Sequence, residues 1–159
     1  MSYVDSVLQP QETILARTRL HWIIYLPSFT LLAMAALISL FGSGFDTQSK
    51  FLCVIASFVL GVIGIAQLLT AWTKRITTEL AVTNRRIIHK TGLFGRNTRE
   101  MNREKVESVD VRQSPLGRIL GYGTISVRGI GSTWEPFVTI EDPIHFRSTI
   151  TAATDSNQP

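Results

Sequence analysis

The sequence predicts an α-helical membrane hairpin followed by a small antiparallel β domain that a C-terminal helix closes. Two apolar runs, residues 22–41 and 51–72, contain no Asp, Glu, Lys or Arg. After these runs, apolar and polar side chains alternate in short segments, as they do in half-buried strands. An Asp-Pro pair then precedes a final segment with apolar residues at helical spacing. Short strands at regular spacing suggest a small sandwich or an open barrel, and the helix fits an open end of it.

The two apolar runs have the length of membrane spans. Runs of 20 and 22 residues rise about 30 Å or slightly more as α-helix, which matches the hydrocarbon core of a bilayer. Buried helices of soluble proteins are usually shorter and carry polar atoms, and a chain of 159 residues has little material to enclose two of them. A secretory signal is the other alternative, but Asp5 and Glu12 precede the first run, which is also too long for a signal core. We therefore predict a transmembrane hairpin over residues 22–72.

Charged residues at the ends of the runs predict the orientation of the hairpin. The flanking cations are Arg17, Arg19, Lys74 and Arg75. The loop 42–50 between the runs has only Lys50, with Asp46 close to it in the chain. The positive-inside rule then places both termini in the cytoplasm and the loop outside, so we expect a multi-pass membrane protein.

Small residues recur at helical spacing along both runs. In the first run they are Ser28, Ala35 and Ser39, and in the second they are Cys53, Ser57, Gly61 and Gly64. Small side chains let two helix backbones approach closely, so this stripe predicts packing within the hairpin or against helices of a partner. Neither run carries a charge, and the hairpin is therefore interpreted as an anchor rather than a transport pathway.

The segment before the hairpin is predicted to contain one strand. Residues 1–11 are polar and are expected to be loosely held, whereas residues 12–20 alternate with a period of two, although a short interfacial helix also fits. The main domain is assigned to residues 73–153, and the tail 154–159 is expected to be disordered. If the strand in 12–20 pairs with strands after Lys74, the hairpin is an insertion within the domain.

Alternating segments and turn residues define the strands of the domain. Strands are predicted at 76–83, 86–91, 99–102, 106–113, 124–130 and 133–140, with turns at Asn84-Arg85, Gly92–Gly95 and Gly131-Ser132. Asn102 is a candidate cap for a turn that contains Glu104. Pro136 requires a bulge or an edge position in the last strand, because proline donates no hydrogen bond to a sheet.

Two helices are predicted in the domain. In the first, Ser114 is the N-cap, Pro115 takes the first helical position and Gly121 ends the helix in the left-handed conformation. One face of this helix consists of Leu116, Ile119 and Leu120. The second helix begins at Asp142-Pro143 and ends near residue 153. Its inward face consists of Phe146, Ile150 and Ala153.

Two stretches of the domain resemble the bacterial pleckstrin-homology-like domains of small membrane proteins. The first is residues 83–88 with 92–94, and the second is residues 109–127, whose Gly-Arg-x-Leu-Gly-Tyr-Gly core is the specific signature of that family. The signature residues, expected to be structural, are Ser114, Pro115, Gly117, Arg118, Leu120, Gly121, Tyr122 and Gly123. The resemblance covers roughly residues 12–150, including the hairpin, since members with two preceding spans are common.

This resemblance implies a bent, seven-stranded antiparallel arrangement closed by a C-terminal helix, in a protein of the bacterial inner membrane. It implies no established reaction. One departure lies at Pro10-Gln11-Glu12, where family members often have Pro-Gly-Glu, and the turn there is expected to differ. Likeness of fold to eukaryotic lipid-binding pleckstrin domains is weak support for a shared function.

Cations outnumber carboxylates after the first turn of the domain and form a candidate contact with anionic lipid. They are Arg85, Arg86, Lys90, Arg96, Arg99, Arg103 and Lys105, and only Glu100 and Glu104 oppose them. Cations on a shared face near the bilayer would each gain about 1 kcal/mol from an anionic leaflet. The alternative is a solvated strand face that keeps the domain soluble.

The sequence contains no legible catalytic motif. There is no Gly-x-Ser-x-Gly, no phosphate-loop lysine motif and no His/Cys set at metal-ligand spacing, so we predict no enzyme, cofactor, metal or small-molecule substrate. Nucleic acid is not expected as a partner, because the aromatic residues of the domain are too scattered for a stacking platform. The leading interpretation is a non-catalytic, membrane-anchored interaction domain that scaffolds or regulates a membrane protein complex. Its partner would be a membrane or cytoplasmic protein, or a second copy of the chain, bound at a sheet edge. The alternative is an electrostatic binder of inner-leaflet lipids through the basic residues.

Overall fold

The computed structural model describes residues 3–92, 97–130, 132–133 and 136–155. The chain divides into two compact units: a hairpin unit, Trp22–Thr73, and a domain made of Met1–His21 with Lys74–Pro159. Some predictions lie wholly or partly outside the described residues: the turn at Gly92–Gly95, the cation Arg96, the turn position at Gly131, part of the strand at 133–140 and the tail from residue 156. In the chain, the hairpin unit is an insertion between the two parts of the domain.

Two helices make up most of the hairpin unit, and the last turn of the second continues into the domain. A 3-10 turn at Trp22–Tyr25 leads into α2, Leu26–Gly42, and α3 spans Thr47–Thr77. By length and composition alone, both helical segments could cross a membrane. Asp46 begins α3, since its carboxylate accepts a hydrogen bond from the N–H of Gln48 at 3.2 Å.

Helix α3 continues past the predicted end of the second apolar run at residue 72. Lys74 and Arg75 lie in its last turn, where cations interact favourably with the carbonyl end of the helix dipole. The first strand after the hairpin consequently begins at Glu79, and the prediction that placed Ile76 in a strand is wrong.

Two glycines of the hairpin unit lie where α2 and α3 touch. A Cβ added to Gly64 would lie 2.9 Å from Leu32 Cδ2, and one added to Gly42 would lie 2.6 Å from Cys53 Cβ. Such distances leave no room for a side chain at either position. Gly42 lies just beyond the predicted first run, which is why the predicted stripe omitted it.

The other positions of the predicted stripe fall into two groups. Ser28 and Ala35 are buried and Ser57 is half-buried, as expected of packing positions. Ser39 is exposed, and a Cβ on Gly61 would meet nothing within 4 Å. These last two residues therefore lie off the contact. Helix α2 buries Ser28, Ala35 and Gly42, which are seven residues apart. Ser39 lies between the last two in the chain and is rotated away from the line that they form.

Gly64→Val is expected to destabilise the hairpin by about 1–3 kcal/mol, because the branched side chain has no room beside Leu32. Gly61→Val is the matched control on the same helix, where the space is open. The measurement is the unfolding of the full chain in mixed detergent micelles, followed by tryptophan fluorescence. Equal losses of stability in the two variants would contradict a contact at Gly64.

The domain contains two antiparallel sheets. The first has the strand order β1-β2-β3-β4, with β1 at Ile14–Thr18, β2 at Glu79–Thr83, β3 at Arg86–Thr91 and β4 at Asn97–Asn102. In the second sheet, β6 at Tyr122–Gly129 pairs with three strands. These are β5 at Val106–Arg112, β7 at Ser132–Thr133 and β8 at Phe137–Glu141. The strand before the hairpin unit, β1, thus pairs with β2 after it.

The continuation of β1 joins the two sheets. Leu20 forms a β-bridge with Ile140, and the N–H of Glu141 donates to the carbonyl of Arg19 at 2.9 Å. The edge strands β4 and β5 do not pair with each other: β4 pairs with β3, and β5 pairs with β6. Within the described ranges, therefore, no closed barrel forms. The same ranges hold eight strands rather than seven, because two strands, β7 and β8, lie where a single strand was predicted at 133–140.

Both sheets and the last helix share one core. Helix α5, Pro143–Asp155, contributes Phe146 and Ile150 to it, and Ala153 is also buried, as the helical spacing predicts. The sheets contribute Leu80, Val82, Ile87, Met101, Ile125, Val127, Phe137 and Ile140. Because residues from β2, β3 and β6 meet here, the domain depends on contacts that are distant in the chain.

Two smaller predictions differ from the structure between β3 and β5. The third predicted strand begins at Asn97 rather than at residue 99. Asn102 precedes a 3-10 turn, Arg103–Lys105, but its side chain makes no capping hydrogen bond. The turn is therefore held by its backbone, which sequence pattern does not reveal.

The N-terminal segment packs on the first sheet, so the prediction that residues 1–11 are loosely held is wrong for the described part, residues 3–11. Helix α1, Tyr3–Ser6, places Val4 in a cluster with Ala81 and Ile88, and Val4 is 0% exposed. Ala81 and Ile88 lie on the sheet face opposite to the main core, since side chains alternate along a strand. Burial of this second face gives the segment its anchor. A four-residue helix carries too short a pattern to be predicted.

Gln11→Gly is expected to raise the free energy of unfolding of the domain by about 0.5–1 kcal/mol. Gln11 has a φ of 67°, a left-handed conformation that glycine adopts without a Cβ clash. It stands where the resembled family often has glycine. Urea unfolding of the full chain measures the change, with Gln9→Gly as the neighbouring control. A gain of the same size in the control would contradict relief of backbone strain at residue 11.

Candidate functional site

The predicted basic residues do not share one face of the first sheet. Ile87 pairs with Met101 in the register of β3 and β4, and both are buried in the main core. His89 and Arg99, the next pair on that face, therefore point to the core side of the sheet. Lys90 points to the opposite side. Arg99 and Lys90 consequently cannot lie together on one flat contact with a membrane surface.

Arg86 is engaged in an ion-pair network instead of facing solvent. Its guanidinium donates to Glu12 at 2.9 Å, to Glu100 at 2.6 Å and to the carbonyl of Val7 at 2.9 Å. The Arg86 side chain is 13% exposed and that of Glu12 is 0% exposed. The hydroxyl of Thr83 also donates to Glu12, at 2.7 Å. This network ties the N-terminal segment to β2 and β3.

The network holds the Glu12 carboxylate in its ionised form. Burial alone raises the pKa of such a group. Hydrogen bonds from Arg86, from the N–H of Gln9 and from Thr83, added to the charge of Arg86, outweigh burial. Together they lower the pKa of Glu12 from 4.5 to about 2. The same hydrogen bond with Glu12 raises the pKa of Arg86.

Acid is expected to destabilise the domain through Glu12. Because its folded pKa lies below the unfolded value, the stability that it contributes is fully present above about pH 4.5 and is lost as the pH falls toward 2. The shift corresponds to roughly 3 kcal/mol. In Glu12→Gln, the free energy of unfolding should therefore lose roughly 3 kcal/mol less than in the wild type between pH values of about 6 and about 2.

This titration is measured on the full chain, with Glu107→Gln as the control, since Glu107 is an exposed carboxyl on β5. The control should follow the wild-type curve. A Glu12→Gln curve that runs parallel to the wild type would show that Glu12 does not titrate with folding.

The remaining predicted cations are scattered. Arg103 is 5% exposed, and its Nε has no hydrogen-bond partner among the residues that the structure describes. Arg85 and Lys105 are exposed, Lys90 is half-buried, and Arg96 lies outside the described residues. Burial removes Arg103 and ion pairing removes Arg86 from the predicted lipid contact. What is left of that surface stays a hypothesis.

The signature segment forms helix α4, Pro115–Leu120, with the predicted caps. The hydroxyl of Ser114 accepts from the N–H of Gly117 at 3.0 Å, and Gly121 follows with a φ of 75°. A Cβ added to Gly117 would lie 2.6 Å from the carbonyl oxygen of Tyr122, so no side chain fits there. These residues serve the local fold.

Tyr122 and Gly123 fix the strand that follows α4. The side-chain amide of Gln113 donates to the carbonyl of Tyr122 at 3.1 Å, and the Tyr122 ring lies 5.4 Å from the ring of His21. A Cβ added to Gly123 would lie 2.9 Å from the carbonyl oxygen of Arg112. The close approach of two backbones explains the glycine.

Other side chains of α4 point away from the fold. Leu116, Ile119 and Leu120 are 65, 81 and 40% exposed, and Arg118 is exposed as well. Their spacing places the three apolar residues on one side of the helix. Scattered exposed apolar residues are ordinary, but three on one short helix form a patch. We call Leu116, Ile119 and Leu120 the α4 apolar face.

The two points at which the chain leaves the domain for the hairpin unit lie beside α4. His21, the last residue of the first part, contacts Tyr122, which follows α4 almost directly. Arg75, at the start of the second part, donates from Nε to the carbonyl of Leu20 at 3.1 Å. It also pairs at 3.4 Å with Glu141, the register partner of Tyr122. The sequence predicted Arg75 only as a charge that flanks the hairpin, because no local pattern links it to Leu20 or Glu141.

Within the described ranges, no group of three or more His, Cys, Asp or Glu could hold a metal ion. The Glu12–Arg86 pair has a displaced carboxyl pKa, but it is buried and supports the fold. Its perturbation is that of a structural ion pair.

A family model described as Bacterial PH domain matches residues 21–154. The chain belongs to this bacterial PH domain family. The predicted resemblance is thereby confirmed for the domain, and the class of the protein is an interaction or binding module, with no enzymatic family indicated. The curated proteins contain no match to the chain. The family match begins at His21, so α1, β1 and Glu12 precede it, although β1 is a strand of the first sheet.

Proposed function

We propose that this bacterial PH domain protein is a non-catalytic module, anchored in the bacterial inner membrane, that scaffolds or regulates a membrane protein complex. The observation that carries the proposal is the insertion of two long apolar helices within the chain of the domain. Their side chains are exposed: Leu40, Phe41 and Phe58 reach 68, 69 and 70%. A bilayer covers such surface, whereas water penalises it.

The charges at the ends of the hairpin favour a cytoplasmic domain. Lys74 and Arg75 lie in the last turn of α3, and Arg17 and Arg19 precede the first apolar helix. The connecting loop has one cation, Lys50. Under the positive-inside rule both termini face the cytoplasm.

An open strand edge supports the binding of a protein partner. Strand β5 lies at the end of the strand order of the second sheet and pairs with β6 among the residues that the structure describes. A strand with one free edge presents backbone N–H and C=O groups, to which an extended segment of a partner can add. Glu107 and Arg112 expose charged side chains along β5 and can select the partner by charge.

The alternative function, electrostatic binding of the anionic leaflet through the predicted basic residues, has less support. Arg86 is paired with two carboxylates, and Arg103 is buried. Lys90 and Arg99 lie on opposite faces of the first sheet. We therefore favour a protein partner at β5.

The anchoring and orientation are tested by cysteine labelling in cells. On a Cys53→Ala background, Ser43→Cys places a thiol in the loop and Glu107→Cys places one on β5. A membrane-impermeant maleimide is expected to label position 43 in intact spheroplasts, and position 107 only after the membrane is disrupted. Labelling of position 107 in intact spheroplasts, or recovery of the chain in the soluble fraction, would overturn the proposal.

The partner is tested with a photo-crosslinking amino acid in place of Glu107 on β5. The matched control replaces Arg128, which is exposed on β6, a strand paired on both sides. An adduct specific to position 107, identified by mass spectrometry from native membranes, would support partner binding at this edge and name the partner. Adducts equal at the two positions, or absent from both, would contradict it.

A further inference from the structure

We propose that the α4 apolar face docks on the lipid surface of the membrane that holds the hairpin unit, so that the domain rests against the bilayer through α4. This inference rests on the proposed membrane anchoring and goes beyond it, since an anchored domain could equally hang free in the cytoplasm. It also differs from the predicted lipid contact, because none of the basic residues named for that contact belongs to α4.

The fold leaves most of the α4 apolar face uncovered. The caps of α4 come from Ser114 and Gly121, and its close packing comes from Gly117 against the backbone of Tyr122. Leu116 and Ile119, by contrast, leave 65 and 81% of their surface exposed. Burial of this exposed apolar surface against a surface outside the domain would be favourable.

The position of the α4 apolar face indicates which surface would cover it. Tyr122, just after α4, contacts His21, and Arg75 binds the carbonyl of Leu20. Both chain crossings into the apolar helices therefore lie in the same part of the domain as α4. Given the proposed anchoring, these crossings lie at the membrane surface, and a patch beside them is held at the bilayer without any association step.

The chemistry of the segment also matches a lipid interface. From residue 113 to residue 120 the chain has no Asp or Glu, and its one charge is Arg118. Arg118 is exposed on another side of α4, so no charged residue of this segment interrupts the α4 apolar face. At the C-terminal end of α4, the carbonyl of Gly121 accepts from the N–H of Asp142, and the nearby Ile144 adds a side chain that is 61% exposed.

A second copy of the chain is the less favoured occupant. Three side chains bury far less than the roughly 1,200 Å² of a stable protein interface. Docking on the bilayer needs no such area, because the peptide chain joins the domain to its membrane anchor and so keeps α4 close to the lipid.

The test uses the full chain, reconstituted in liposomes of neutral and anionic phospholipid, with nitroxide spin labels on a Cys53→Ala background. Labels are placed at Ile119→Cys on α4, at Glu107→Cys on β5 and at Val62→Cys in the middle of α3. Power saturation compares the collisions of each label with oxygen, which partitions into lipid, and with a water-soluble nickel chelate. The expected ratio of oxygen to chelate accessibility is several-fold higher at position 119 than at position 107.

Position 62 separates the two proposals. If label 62 is in lipid while label 119 matches label 107, the docking of α4 is wrong and the anchor stands. If label 62 is itself exposed to the chelate, the anchoring fails. Dipolar broadening between labels at position 119, lost when labelled chains are diluted with unlabelled ones, would assign the α4 apolar face to a second copy and would also overturn lipid docking.

Discussion

Arg86→Met is expected to lower the free energy of unfolding of the domain by about 3–5 kcal/mol. The change leaves the Glu12 carboxylate, whose side chain is 0% exposed, without its cationic partner. An unpaired charge in such a place either stays desolvated or takes up a proton, and both outcomes weaken the fold. Val7 also loses the donor that its carbonyl has in Arg86. The N-terminal segment should consequently detach before the rest of the domain unfolds.

Arg85→Met is the matched control for this prediction. Arg85 is the adjacent residue and is exposed, and its hydrogen bond to Gln9 is long, at 3.4 Å. Its loss should change the stability by no more than about 0.5 kcal/mol. Hydrogen exchange of the β2 and β3 amides in the full chain, in nanodiscs, measures both variants. Similar protection in the two would contradict a stabilising role for the Glu12–Arg86 pair.

A double-mutant cycle separates pairing from packing. On a Glu12→Gln background no buried carboxylate loses its partner, so Arg86→Met should cost clearly less than it does in the wild type. An undiminished cost would assign the effect of Arg86 to its contacts with Glu100 and Val7 instead.

The features that sequence alone predicted correctly are those with a local cause. The start and end of α4 follow from Ser114, Pro115 and Gly121, which act within a few residues of their own positions. The buried face of α5 follows from its helical spacing. Each of these signals is complete within one stretch of chain.

The features that were missed join distant residues. Glu12 and Arg86 are 74 positions apart, and no spacing rule connects them. Arg86 therefore counted as one more surface cation in a basic run. The left-handed backbone conformation of Gln11 was also missed, because the residue that usually indicates this conformation is glycine. The burial of Val4 depends on Ala81 and Ile88, which meet it only after β2 has paired with β3.

These distant pairings lead to the second large expected effect. Replacing Trp22–Thr73 with a linker of about six Gly and Ser residues is expected to give a soluble domain that unfolds cooperatively. Arg75 reaches the carbonyl of Leu20 at 3.1 Å, so the two cut ends lie near each other. Six residues span up to about 20 Å. All strands of both sheets are kept, and Glu12 still meets Arg86.

The matched variant begins at Lys74 and lacks everything before it. It loses β1, exposes the edge of β2 and uncovers Ala81 and Ile88 on the outer face of the first sheet. It also strands Arg86 without Glu12. We expect this fragment to be unfolded or aggregated, as judged by size-exclusion chromatography, circular dichroism and urea titration of both proteins. A stable, monomeric fragment from Lys74 would show that the segment before the hairpin is an appendage. A linked protein that fails to fold would show instead that the hairpin unit is required by the domain. Only the combination of a folded linked protein and an unfolded fragment fits a single domain into which the hairpin has been inserted.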